Sequence, residues 1–265
     1  MNLSGLAIHD HGPIREIRMD RPPVNALDAG LVQALLDALK PPTDPAIRAF
    51  VLSGQPGIFS AGLDLPSLLA LDRDGMAAFW RQLVVLLRTI ARSPVPVLAA
   101  MTGHSPAGGT VLCLYADYRV MAQGDYRVGL NEVQVGLPVP DFIQRGLVRL
   151  VGPRQAGSLV MGGSLIGPDD ARTIGLVDEL AAPEQVLECA LRRARQWLAL
   201  PQLAFQATRE ISRRDLRFMD QDPAEIETLV TFWFRPETQE ALHRYVDSFR
   251  KRRDPDPDRP RRSKT

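Results

Sequence analysis

The sequence predicts an α/β fold with a helical C-terminal region. Two observations carry this. Apolar β-type runs alternate with helical-period runs up to about residue 182. From Pro183 onward the pattern is helical only, over 184–200, 202–214, 223–234 and 236–253. The expected organisation is an α/β core over 1–200, a helical cap or oligomerisation region over 201–253, and a basic, Pro-rich tail over 254–265, predicted to be disordered.

The elements follow in order. Residues 6–9 and 14–19 alternate around His11-Gly12, which reads as a β-hairpin. Arg21-Pro22-Pro23 ends it, because proline lacks an N–H and fixes φ. Leu27, Leu31, Leu35 and Leu39 lie a turn apart, so 27–40 reads as a helix with Asp28 in its first turn. Residues 49–52 are a short buried strand. The run 58–60 is extended and leads through Ala61-Gly62 to a helix start marked by Asp64 and Pro66. Phe79, Leu83, Leu86, Leu87 and Ile90 share one face of a long helix over 76–92.

The central stretch is 97–137. It reads as a strand at 97–101, a turn at 103–106, a small-residue pair Gly108-Gly109 and a helix over 110–115. Extended runs follow at 118–121 and 126–128, and the stretch reaches Asn131-Glu132. Beyond it, helices are expected at 142–151 and 155–161, broken by Gly152-Pro153, and at 169–173, with a β-like run at 176–180.

Composition narrows the function classes. The chain has 265 residues, 45% hydrophobic and 24% charged, enough for one sizeable core. The net charge of +1 is unevenly placed: eight Lys and Arg against three Asp fall from Arg250 onward, leaving the body slightly acidic. That argues against a dedicated nucleic-acid binder. Two isolated cysteines, Cys113 and Cys189, form neither a disulfide framework nor a metal-ligand spacing. No apolar stretch approaches the roughly 18 residues of a membrane span, and the first residues lack a signal-peptide pattern. The expected setting is cytoplasmic, with no membrane or metal.

Two Gly turns and one carboxylate stand out. Ser60-Ala61-Gly62-Leu63-Asp64 and Pro106-Ala107-Gly108-Gly109-Thr110 each lead from an extended run into a helix, which leaves N–H groups unpaired. Facing each other, they would hold one oxygen between two donors, the arrangement that stabilises an enolate or tetrahedral oxyanion. The alternative is a pair of tight turns that merely let helices pack. Glu132 lies between apolar runs, where a carboxylate gains the raised pKa of a proton-transfer base; the alternative is a helix-start glutamate with Asn131 as cap. Asp64 reads as an N-cap, and His9, His11, His104 and His243 show no ligand spacing, His104 being the reserve proton donor. Gly103-His104-Ser105-Pro106-Ala107 approximates a serine-hydrolase elbow. Ala107 replaces its second Gly, however, and Pro106 has no N–H for the oxyanion hole.

Four segments in register, RPPVNAL (21–27), FSAGLDL (59–65), PAGG (106–109) and GLNE (129–132), resemble the crotonase, or enoyl-CoA hydratase/isomerase, family. Together with DYR (117–119) they are similar to its mitochondrial-type Δ3,Δ2-enoyl-CoA isomerase branch, and the likeness runs to about Arg253. The resemblance implies a crotonase-like spiral of ββα units acting on an acyl-CoA thioester, with coenzyme A part of the substrate and no separate cofactor. By position, Leu63 and Gly108 would supply the oxyanion-hole N–H groups and Glu132 the base. Ala61, Gly62, Leu63, Asp64 and Leu65, with Val24, Ala26, Gly108 and Asn131, would line the substrate path. The first of the two hydratase glutamates falls at Val111, which leaves one base and implies an isomerase. Leu68, Trp80, Leu137, Phe142 and Ile143 are acyl-pocket candidates. Phe249 with Arg250 or Lys251 would meet the CoA phosphates, and the assembly would be a homotrimer or dimer of trimers. A hydrolase, a decarboxylase or a non-catalytic acyl-CoA binder of the same fold are the alternatives.

Overall fold

The structure is a computed structural model that describes residues 2–3, 5–218 and 223–253, with side chains described for 5–216 and 224–248. Three consecutive ββα units build its centre. In the first, β4 (Ala49–Ser53) and β5 (Gly57–Ile58) lead to the short helix α2 (Leu65–Leu68) and the long α3 (Arg73–Ala91). In the second, β6 (Val97–Met101) and β7 (Gly103–Pro106) lead to α4 (Gly108–Leu114). In the third, β8 (Tyr118–Ala122) and β9 (Val128–Gly129) lead to α5 (Asp141–Gly162).

The long strands join one sheet and the short strands another. With β1 (Asn2–Leu3), β2 (Leu6–His11), β3 (Ile14–Met19) and β10 (Glu179–Ala181), the large sheet runs β1-β2-β3-β4-β6-β8-β10. It is antiparallel over β1 to β3 and parallel thereafter. The small sheet, β5-β7-β9, is wholly parallel. Every residue of β4 and β6 is buried, as expected for parallel strands covered on both faces. Phe50 and Leu52 face a core shared with α1 (Ala29–Ala38) and α3, while Ala49 and Val51 face α7 (Val186–Leu198).

The segment 103–106 departs from the expected turn: it is the middle strand of the small sheet. Ser105 N–H donates to Arg127 O at 2.8 Å, and Ser105 pairs with Val128 in register. The corner is possible because Gly103 lies against Gly57; a Cβ there would come within 2.0 Å of that backbone. Three boundaries also move. Asp28 is the N-cap of α1 rather than a first-turn residue, Asp72 caps α3 earlier than the apolar pattern starts, and the 176–180 run contracts to β10. Gly152, at φ 76° and ψ 162°, kinks α5 at the break the sequence marks. Helices α6 (Pro168–Thr173), α8 (Gln202–Ser212), α9 (Pro223–Trp233) and α10 (Pro236–Arg253) complete the chain. Ile226, Leu229, Val230, Trp233 and Leu242 from α9 and α10 join the main apolar core.

Candidate active site

The first Gly turn is held by a lattice of buried polar groups. Asn25, at φ 51°, donates through Nδ2 to Phe59 O at 3.0 Å and accepts the Arg21 N–H at 2.9 Å. Ser60 Oγ donates to Asn25 O at 2.7 Å. Arg21 clamps the turn from outside, pairing with Asp28 at 2.8 Å and Asp64 at 2.7 Å and donating to Ala26 O at 3.0 Å. Leu27 then brackets Leu63: its N–H donates to Gly62 O at 2.7 Å, and its carbonyl accepts the Asp64 N–H at 3.0 Å. The Leu63 N–H therefore turns away from the bridge and has no acceptor among the described residues. Asp64 caps α2 by accepting from Ser67 N at 3.2 Å, as its position predicts.

The second turn is set by Ala107, a non-glycine residue at φ 47° and ψ −120°. Such a conformation costs on the order of 1–3 kcal/mol, so surrounding contacts must hold it. They do: Ala107 N–H donates to Gly129 O at 2.8 Å, and Thr110 Oγ1 donates to Ser105 O while accepting Gly129 N–H at 2.8 Å. The result is that α4 begins at Gly108 with an N–H that has no acceptor among the described residues.

The two turns touch. A Cβ on Gly62, itself at φ 89°, would come within 3.1 Å of Gly108 N, and one on Gly108 within 3.1 Å of Gly62 Cα. Leu63 and Gly108 thus sit on two backbones in contact, a separation and a φ at Gly62 that favour glycine. Around them Val24 is exposed and Ala26, Ala61, Leu63 and Leu65 are partly exposed, so this side of the turns is open to a ligand.

Glu132 follows the strand that holds the second turn. Gly129 pairs with Pro106 and holds Ala107, and three residues later the chain enters a 3-10 turn, Glu132–Val135, closed by Gly136 at φ 77°. The residue is partly buried, but its Oε2 is shut from solvent and has no partner among the described residues. Burial pushes its carboxyl up to about 7, opposed weakly by its own backbone N–H. Glu132 does open this turn with buried Asn131 at its N-cap position, as the alternative expects, but the Asn131 side chain makes no capping hydrogen bond. Val111 lies one turn after Gly108 on α4 and is buried.

The other candidates sort cleanly. Ser105 is fully buried and cannot present itself to a substrate as an elbow serine would. His104 Nδ1 accepts the Arg127 N–H at 3.2 Å, and its ring meets Tyr126 edge-on. The described residues hold no cluster of three metal-ligating side chains and no helix long and apolar enough to cross a membrane. Burial pushes the Cys113 thiol up to about 12, which keeps it an unreactive core group. Leu68, Trp80, Leu137, Phe142 and Ile143 all lie in the main apolar core. The side chains of Phe249, Arg250 and Lys251, and the tail over 254–265, fall outside the described residues. Sequence reasoning missed Arg21, Asn25 and Thr110 as supports. Arg21 and Asp64 are 43 residues apart, so no local pattern signals their pairing.

Comparisons with known proteins bear on the family and the fold. The Enoyl-CoA hydratase/isomerase family pattern matches residues 10–257. The chain is 32% identical over 236 residues to "Enoyl-CoA delta isomerase 1, mitochondrial" of Homo sapiens, covering 87% of this chain and 78% of that protein. It is 34% identical over 195 residues to "Probable enoyl-CoA hydratase EchA17" of Mycobacterium tuberculosis, covering 72% of this chain and 73% of that one. The crystal structure of human mitochondrial delta3-delta2-enoyl-CoA isomerase superposes with a TM-score of 0.89 at 28% identity, over 95% of this chain and all of the other. With its stacked ββα units and apposed Gly turns, the chain belongs to the enoyl-CoA hydratase/isomerase family, and its fold is the crotonase fold.

Proposed function

We propose that the protein is a Δ3,Δ2-enoyl-CoA isomerase. The observation that carries this reading is one carboxylate, Glu132, whose Oε2 is shut from solvent and unpartnered among the described residues, with apolar Val111 where a second acid would be needed for hydration. The thioester oxygen sits between the N–H groups of Leu63 and Gly108. Glu132 takes a proton from C2 of a 3-enoyl-CoA. The released electron pair spreads over the thioester oxygen, C2 and C4, and the two N–H groups stabilise the resulting dienolate. The protonated Glu132 returns the proton at C4, the double bond settles between C2 and C3, and the base is regenerated. Nothing is oxidised or reduced, so coenzyme A enters only as part of the substrate.

The pKa fits the task. A base near 7 is about half ionised at neutral pH and still strong enough to accept the C2 proton. Ala61, Gly62, Asp64, Leu65, Val24, Ala26 and Asn131 line the approach in this reading. The test is Glu132→Gln, which keeps the shape and removes the base. Isomerisation should fall by about 10²–10⁴ while acyl-CoA binding, measured by calorimetry, persists; full turnover in that variant would refute the assignment.

A second reading, hydration of a 2-enoyl-CoA, is favoured by the relative named as a probable hydratase. It requires a group other than Val111 to orient water. We also expect a homotrimer or dimer of trimers. Helix α8 buries none of its residues, and Leu203 and Ile211 stand 88% and 57% exposed on it. Sedimentation analysis of the intact protein checks this.

A further inference from the structure

Helix α10 touches both halves of the site. It packs against the 3-10 turn that carries Glu132 and against α2, the helix that follows the Leu63 turn. Its first turn presents Thr238, which is 1% exposed. Thr238 Oγ1 donates to the carbonyl of Gly136 at 3.1 Å across 102 residues of sequence. Gly136 closes the Glu132 turn in the left-handed region, and a Cβ added there would meet Thr238 Oγ1 at 3.1 Å and Cα at 3.3 Å. One helical turn later Leu242 is fully buried in the main core. The turn itself is short, four residues, with its closing bonds from Gly136 N–H to Val133 O at 3.2 Å and from Leu137 N–H to Glu132 O at 3.1 Å. Such a turn has little rigidity of its own.

We infer that α10 acts as a strut across the site and that Thr238 is a positioning residue, acting through the Gly136 carbonyl to hold the Glu132 turn closed. This rests on the reading of Glu132 as the base. The strut keeps water from Oε2. Burial alone is the cause of the raised carboxyl, and no neighbouring charge contributes. On α10, Glu237, Glu240, His243 and Arg244 are exposed, and on α5, which also packs on the turn, Asp141 and Arg145 are exposed and paired with each other. A loosened turn would hydrate the carboxylate, favour its ionised form and lower its pKa.

The test compares Thr238→Val, which keeps the shape and loses the hydroxyl, with Thr238→Ser, which keeps the hydroxyl. Thr238→Ala replaces the valine variant if the latter does not fold. The readouts are kcat and KM for a 3-enoyl-CoA against pH, and the Glu132 carboxyl titration followed by difference infrared spectroscopy against Glu132→Gln. The inference expects kcat to fall about five- to tenfold in Thr238→Val, from the loss of one hydrogen bond. KM should stay near wild type, and the acid midpoint should move to lower pH by about one unit. Thr238→Ser should retain the wild-type profile. A wild-type profile in Thr238→Val, or a loss shared equally by both variants with the midpoint unmoved, overturns it. Glu132→Gln separates the two levels. Turnover in that variant removes the base itself, whereas an inactive Glu132→Gln beside a wild-type Thr238→Val removes only the strut.

Discussion

Glu132 holds a charge where the fold would prefer none. Its carboxyl is raised from 4.5 to about 7 by burial, so the folded state binds its proton more tightly than the unfolded chain does. Its contribution to stability is therefore full below the unfolded value and is lost as pH rises through about 7. A shift of this size corresponds to at most about 3 kcal/mol. Glu132→Gln should melt above wild type at pH 8 and close to it at pH 4; equal melting temperatures at both would contradict the burial of the charge. In the proposed reading the same group is the base and sets the catalytic profile. The base must be ionised, so kcat/KM should fall as pH drops through about 7. Gly62 is the other decisive residue. Gly62→Ala must strain φ 89° and press a methyl within 3.1 Å of Gly108 N, so it should cost about 1–3 kcal/mol by urea denaturation and lower kcat by about 10²–10³. At this scale the sequence carried much. The small residues marked both turns, and the apolar neighbours of Glu132 foretold its raised carboxyl. It could not show that Asn131 leaves the turn uncapped, because side-chain direction depends on packing that no local pattern encodes.

Helix α4 ties the site to the C-terminal region. Carbonyls at its C-terminal end and just beyond accept from buried guanidinium groups: Arg119 meets Cys113 O at 3.3 Å and Ala116 O at 2.9 Å, and Arg213 meets Tyr115 O at 2.6 Å. Asp117 gathers the charges. It pairs with Arg209 at 2.8 Å and Arg213 at 2.9 Å and accepts the Val97 N–H at 2.8 Å. Burial pushes the Arg213 guanidinium down to about 10 against the pull of Asp117. Removing the carboxylate leaves two buried cations uncompensated, so Asp117→Ala should destabilise by about 3–5 kcal/mol in urea denaturation; a loss below 1 kcal/mol would show the network to be solvent-relaxed. Long elements were legible from the sequence because their apolar period is strong, as in α3 and the β2–β3 hairpin. The strand β7 was not. Its residues are small and mixed, and it is a strand only because β5 and β9 flank it.

Across the whole molecule, parts distant in the chain meet: the Arg21 loop, the Gly62 turn and the start of α4 in one place, and α10 with both α2 and the Glu132 turn. The residue pattern proposed that the two Gly turns face each other, as they do; it did not show the ties of the Arg21 loop and α10, since none of those contacts is local. Convergence of two backbone donors and one acid, without a second acid, is the claim that separates double-bond migration from water addition. The most direct measurement offers 3-enoyl-CoA and 2-enoyl-CoA separately to the intact protein in ¹⁸O-labelled water and identifies the products by mass spectrometry. The account predicts conversion of the 3-enoyl to the 2-enoyl thioester with no label taken into the acyl chain. Labelled 3-hydroxyacyl-CoA as the main product, or no turnover of the 3-enoyl substrate, would contradict it.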